Sequence, residues 1–102
     1  MLTQRIKLQI VYNPTFIRNF NVIWDYISDS SINSANKFKS HLKVKIESIP
    51  NFSYKSRKSF YYEAENVRDY IFKGYTIPYL IDNDKNKIVI LDIFKWINKR
   101  AK

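Results

Sequence analysis

Residues 5 to 12, RIKLQIVY, set Ile6, Leu8 and Ile10 in alternation with Lys7 and Gln9, the period of a half-buried β-strand. The pattern then changes. Asn13 and Pro14 offer a side-chain N-cap and a first-turn proline, and Phe16, Phe20, Ile23 and Ile27 follow at spacings of four, three and four, with Trp24 beside them. These spacings line one face of a helix, and that stripe is expected to be buried. Asp29, Ser30 and Ser31 interrupt it. Ser31 or Asn33 can cap a second helix with the stripe Ala35, Phe38, Leu42, Ile46 and Ile49, closed by Pro50. Two amphipathic helices joined by so short a break predict an antiparallel hairpin packed on a common sheet.

Residues 50–66, PNFSYKSRKSFYYEAEN, show no clean period and read as a long connection with room for short structure. Three strands are expected after it, over 67–73, 75–82 and 87–94. Gly74 stands between the first two, where a tight hairpin needs a residue that tolerates positive φ, and Asn83 to Asn86 (NDKN) supply the second turn. Pro78 falls inside a predicted strand and cannot donate to a ladder, which implies a bulge or an N–H position facing no partner. The reading is α+β: a β-α-α-β-β-β order, with the helical hairpin on a mostly antiparallel sheet.

The length of 102 residues fits one domain over 1–102, and 45 % hydrophobic with 17 % aromatic residues is ample for a buried core. No cysteine is present, which removes disulfides, thiolate chemistry and cysteine-based metal sites. The N-terminal residues carry no signal-peptide pattern and no stretch approaches the roughly 20 apolar residues of a membrane span, so a cytoplasmic protein without a membrane partner is expected. A net charge of +9 predicts attraction to an anionic partner. With one glycine no phosphate-cradling loop can form, and neither a cofactor nor a small-molecule substrate is expected. His41 reads as a boundary or surface histidine and Glu63 and Glu65 as a solvated loop pair, so no metal site is expected.

The basic residues are concentrated. Between Lys37 and Lys58 lie seven Lys or Arg against one acid, Glu47, with Lys39 and Lys45 flanking the second helix's stripe. After Asp92 come Lys95, Lys99, Arg100 and Lys102 with Trp96 interleaved, a pattern suited to phosphate and a stacked base, to an anionic protein groove, or to a solvated tail.

The segment NVRDYIFKGYTIPYLIDNDKNKIVILDIF resembles the C-terminal β-meander of the RelE/ParE toxin superfamily, with Arg68 on a strand, Gly74-Tyr75 entering a strand that holds Tyr79, an acidic turn at Asp82 to Asp84, and a hydrophobic last strand at Ile88 to Phe94. Upstream, residues 11–51 resemble that family's strand and two helices, including Trp-Asp-Tyr-Ile at Trp24 to Ile27. The resemblance spans nearly the whole chain and matches the element order read from periodicity.

It implies the toxin of a type II toxin–antitoxin module, bound by a cognate acidic antitoxin. ParE-like members act on DNA gyrase by binding, whereas RelE-like members are ribosome-dependent messenger-RNA endonucleases that use sheet cations and a late Arg and Tyr. In this chain the nuclease reading rests on Arg68, Lys73 and Arg100. Thr76 occupies the position where such nucleases commonly carry Arg, and no tyrosine follows Phe94. The ParE-like reading is therefore preferred. Arg68, Lys73, Tyr75, Tyr79, Lys95, Trp96, Lys99 and Arg100 are the residues expected to contact target or antitoxin. A small basic nucleic-acid-binding module is the third reading.

Overall fold

The computed structural model describes residues 8–95. Strand β1 (Gln9–Tyr12) leads into α1 (Pro14–Ser30), where the Asn13 side chain accepts from the Thr15 N–H at 2.9 Å and Pro14 fixes φ in the first turn. Ser31 makes the corner of the hairpin from both sides. Its N–H donates to the Ile27 carbonyl at 3.0 Å, closing α1, while its hydroxyl accepts from the Ser34 N–H at 3.1 Å, opening α2 (Ile32–Ser48). Ser31 is thus the cap, rather than Asn33. With Pro50 next in line, the chain tightens into a 3-10 turn over Ile49–Phe52.

The connection expected at 50–66 adds a short strand, β2 (Arg57–Lys58), ahead of β3 (Val67–Phe72), β4 (Tyr75–Asp82), β5 (Lys87–Ile90) and β6 (Phe94–Lys95). The sheet order is β1-β5-β4-β3-β2, with β6 also pairing β4. It is mixed: β1 runs parallel to β5 from Gln9↔Lys87 to Tyr12↔Ile90, and the other pairs are antiparallel. Phe72 faces Tyr75 across a two-residue turn in which Lys73 (φ 50°) and Gly74 (φ 86°) both take positive φ, as the tight hairpin requires. Asn86 takes φ 54° in the second turn, and its carbonyl accepts from Gln9, tying that turn to β1.

The strand expected over 87–94 is broken at Leu91–Ile93, and Pro78 explains the break. The three steps from Tyr79 back to Thr76 on β4 are matched by four from Ile90 to Phe94, which is the extra residue of a bulge. Leu91 donates to the Pro78 carbonyl at 2.9 Å, so the missing Pro78 N–H points to this same side, where the ladder is interrupted.

The hairpin covers one sheet face. Phe38, Leu42 and Ile46 of α2 pack with Ile77, Tyr79, Ile81, Ile88 and Ile90, and rings run in contact from Phe16 through Phe20 and Phe38 to Phe72 and Tyr75. The stripe of α2 is buried as expected. That of α1 is not: Phe16 is buried, but Phe20, Ile23 and Ile27 are half-buried. The reason is tertiary, because α2 lies over the sheet centre and α1 leans against α2 and the margin.

On the opposite face, Val67, Asp69 and Thr76 alternate with helix-facing neighbours yet are buried. Residues 59–62 supply the cover. Ser59 donates to the Val67 carbonyl, the Phe60 N–H donates to the Asp69 carboxylate at 3.0 Å, and the Tyr61 ring meets Phe94 edge-on at 5.0 Å.

Candidate functional site

The residues expected to form one surface divide between the two ends of the β3–β4 hairpin. At one end Arg68 and Tyr79 are cross-strand partners on the helix-covered face. Arg68 is largely covered; its guanidinium donates to the carbonyls of Ser56 (3.1 Å) and Tyr54 (3.5 Å), sits 4.9 Å from the Tyr54 ring centroid and lies 3.9 Å from Glu65. Glu65 also meets Lys58 at 3.1 Å, so it is a partnered loop acid rather than a free one. The Tyr79 hydroxyl donates to the Ser53 carbonyl at 2.6 Å and the residue is fully buried. Its expected place on a binding surface is therefore corrected. Burial pushes its hydroxyl above the usual tyrosine range, only partly offset by the Ser56 hydrogen bond and the Arg68 charge, so it stays protonated at neutral pH. Arg68 and Tyr79 together fasten residues 53–56 to the sheet.

At the other end, Lys73 is exposed in its turn with Nζ 5.6 Å from the Phe72 ring centroid. Tyr75 is half-buried edge-on against Phe38 at 5.5 Å, and Lys95 places Nζ 5.3 Å from the Tyr75 ring centroid. Strand geometry puts roughly 13 Å between Arg68 and Phe72, the residue before Lys73. Thr76 is fully buried and its hydroxyl has no partner among the described residues. Trp96, Lys99 and Arg100 lie outside the described residues. Arg68 and Lys73 thus do not converge on one reacting centre.

Tyr75 and Lys95 do line a cleft of about 510 Å³ with Asn19, Val22, Ile23 and Tyr26 of α1 and with Ile93 and Phe94. Asp92 ties two of the lining residues together: one carboxylate oxygen accepts from the Asn19 amide and from the Ile93 N–H, both at 2.7 Å. Tyr26 and Val22 are exposed on its rim.

A second concavity escaped the sequence reading. An apolar groove of about 260 Å³ runs between the helices beside β1, floored by Tyr12, Phe16, Phe20, Leu42 and Ile46 and rimmed by Lys39 and Lys43. Lys43 lies 3.8 Å from Glu47 one turn on. Burial, with a smaller push from Glu47, raises the Tyr12 hydroxyl above its usual range, in keeping with an apolar wall. Among the described residues β1 pairs only with β5, leaving its outer edge open beside the groove. The signal available in sequence was the pairing of two i, i+4 sets: Phe16 and Phe20 with Leu42 and Ile46. Each set reads equally well as plain core.

Among the described residues no helix is long and apolar enough to cross a membrane, and no cluster of three His, Cys, Asp or Glu could hold a metal ion.

A helical hairpin on a mixed sheet, in this order and with these pairings, is the α+β architecture of the RelE/ParE toxins. Residues 10–95 match the family described as ParE toxin of type II toxin-antitoxin system, parDE, and the chain belongs to that family. No curated protein sequence matches it. Among solved structures, a chain of the chromosomal ParDE TA system from P. aeruginosa superposes with a TM-score of 0.70 at 14 % identity, covering 89 % of this chain and 98 % of that one. A chain of the toxin-antitoxin complex RelBE2 from Mycobacterium tuberculosis gives 0.57, also at 14 % identity, covering 90 % and 94 %. At that identity the likeness is one of fold.

Proposed function

We propose that this ParE-family toxin acts in the cytoplasm by binding a protein target such as DNA gyrase, and that a cognate acidic antitoxin neutralises it. The observation that carries the antitoxin half is the apolar groove with its Lys39 and Lys43 rim beside the open edge of β1. An amphipathic acidic segment buries its apolar side on the floor, sets carboxylates against the lysines and offers backbone groups to the strand edge. Binding rather than RNA cleavage is supported by the distance between Arg68 and Lys73, by the buried Thr76 and by the protonated Tyr79. The cleft holding Tyr75 and Lys95 is the proposed target surface, with Trp96, Lys99 and Arg100 continuing from it in sequence.

Induction of the toxin followed by assays of gyrase supercoiling and of ribosome-bound mRNA tests the target. Inhibited supercoiling with intact mRNA is expected; ribosome-dependent cuts abolished by Arg68→Ala would establish the nuclease alternative instead. Phe20→Asp, at the half-buried groove wall, is expected to abolish rescue by the acidic product of the adjoining reading frame while the toxin still arrests growth. Rescue that survives Phe20→Asp places the antitoxin elsewhere.

A further inference from the structure

The groove uses one flank of α2, and the other flank carries a separate feature. Lys37, His41 and Lys45 succeed one another at four-residue steps, all exposed, on the side of the helix turned away from Lys39 and Lys43. Two more lysines extend this flank. Phe38, next to Lys37, packs its ring 5.6 Å from Phe72, which brings the Lys73 turn to the start of the row. Ser48, one turn beyond Lys45, lines a cavity together with Phe52 and Lys55, which brings Lys55 to its end.

Among the described residues, no acidic side chain pairs with Lys37, Lys45, Lys55 or Lys73. The one acid of α2, Glu47, lies on the opposite flank with Lys43. Around Lys37 and His41 the helix also offers Asn33, Asn36 and Ser40, which line a shallow polar depression. Among the described residues no acid compensates the lysines of this flank, and a polyanion would supply the opposite charge that the fold does not.

We propose that this flank of α2 binds the phosphate backbone of a nucleic-acid duplex without reading its sequence. The Lys37-to-Lys45 row spans about 12 Å of rigid helix, a length over which a duplex presents about seven phosphates. Lysines act as point charges and lack the bidentate fork that reads base edges, which makes the contact positional rather than specific. The row itself holds no Phe, Tyr or Trp on which successive unpaired bases could stack, and the Phe52 ring at its end already carries Lys55 at 5.2 Å, which favours a duplex over a single strand. An anionic membrane surface is disfavoured because the apolar stripe of α2 faces the core and is not free to enter lipid.

Fluorescence anisotropy with a labelled duplex of arbitrary sequence, read between about 50 and 200 mM salt, tests the proposal. Three or four neutralised phosphates give a log–log salt slope of about −2.7 to −3.6. Lys37→Gln with Lys45→Gln is expected to reduce that slope by about 1.8 and the affinity at least tenfold. The charge-matched pair Arg18→Gln with Lys85→Gln, on other elements, is expected to stay within twofold; circular dichroism checks that both variants fold. Equal losses in the two double variants would show that diffuse net charge drives binding and would overturn the assignment. So would tighter binding of an unpaired strand of the same length, or capture of phosphatidylserine vesicles or polyglutamate by the same lysines with the duplex left unbound.

Discussion

At one end of the β3–β4 hairpin a cation and a tyrosine, Arg68 and Tyr79, are consumed by the fold, and at the other end Lys73, Tyr75 and Lys95 remain available to a partner. The residue types are alike. What differs is the chain that crosses beside them. Residues 53–56 pass over Arg68 and Tyr79 and present the carbonyls of Ser53, Tyr54 and Ser56, which need donors once covered. Among the described residues nothing crosses the Lys73–Gly74 turn, and the exposed Lys95 places its Nζ 5.3 Å from the Tyr75 ring centroid. The tyrosines of this meander thus mark structure or surface according to their neighbours, not their type.

Truncation should separate the two ends most sharply. Tyr79→Ala is expected to cost roughly 3 to 5 kcal/mol, a large share of a domain's stability, whereas the half-buried Tyr75→Ala should cost about half as much or less. Urea denaturation of both variants reads the difference; equal losses would erase the distinction. Arg68→Ala should follow at about 1 to 3 kcal/mol, because two carbonyls lose their charged donor under cover. It should leave target binding unchanged once the protein is folded. A binding defect without a stability loss would move Arg68 back to a functional surface.

Alkaline pH probes three tyrosine hydroxyls together. Tyr12, Tyr62 and Tyr79 all have pKa values raised in the folded state, each chiefly by burial, with Asp92 and Asp69 adding to the effect at Tyr62. The unfolded chain releases these protons first, near pH 10, so it binds fewer protons than the native state above that point. Stability is full below the ordinary tyrosine pKa and falls as pH rises through it toward the raised values. Tyr79→Phe should cost about 1 kcal/mol at neutral pH and flatten the alkaline decline; chemical melts between about pH 8 and 11 would show an unchanged slope if Tyr79 did not contribute. The smallest effect on stability belongs to Lys95→Gln, within about 0.5 kcal/mol. Its signature is kinetic: slower association with an anionic partner at low salt that converges on the parent at high salt. A melting shift with no kinetic change would mark Lys95 as structural.

Local sequence determined the starts and stops. Asn13-Pro14 and Ser31 fixed the helix boundaries through their own side chains, Gly74 fixed a turn through its φ, and Pro78 announced a bulge because a missing N–H must fall somewhere the ladder can spare it. The α2 stripe was equally legible, since its 3.6-residue period needs no knowledge of the partner face. Tertiary structure alone decided the rest. The periodic stripe of α1 could not reveal that α2 would take the sheet centre and leave Phe20 half-open as a groove wall. The aperiodic stretch 50–66 gave no sign that its Ser53–Ser56 carbonyls would occupy Arg68 and Tyr79, or that its Ser59–Tyr62 segment would reach Asp69 and Phe94 on the far face. Caps, turns and periods act over a few residues, whereas these outcomes depend on which distant segment covers a surface and satisfies its hydrogen bonds.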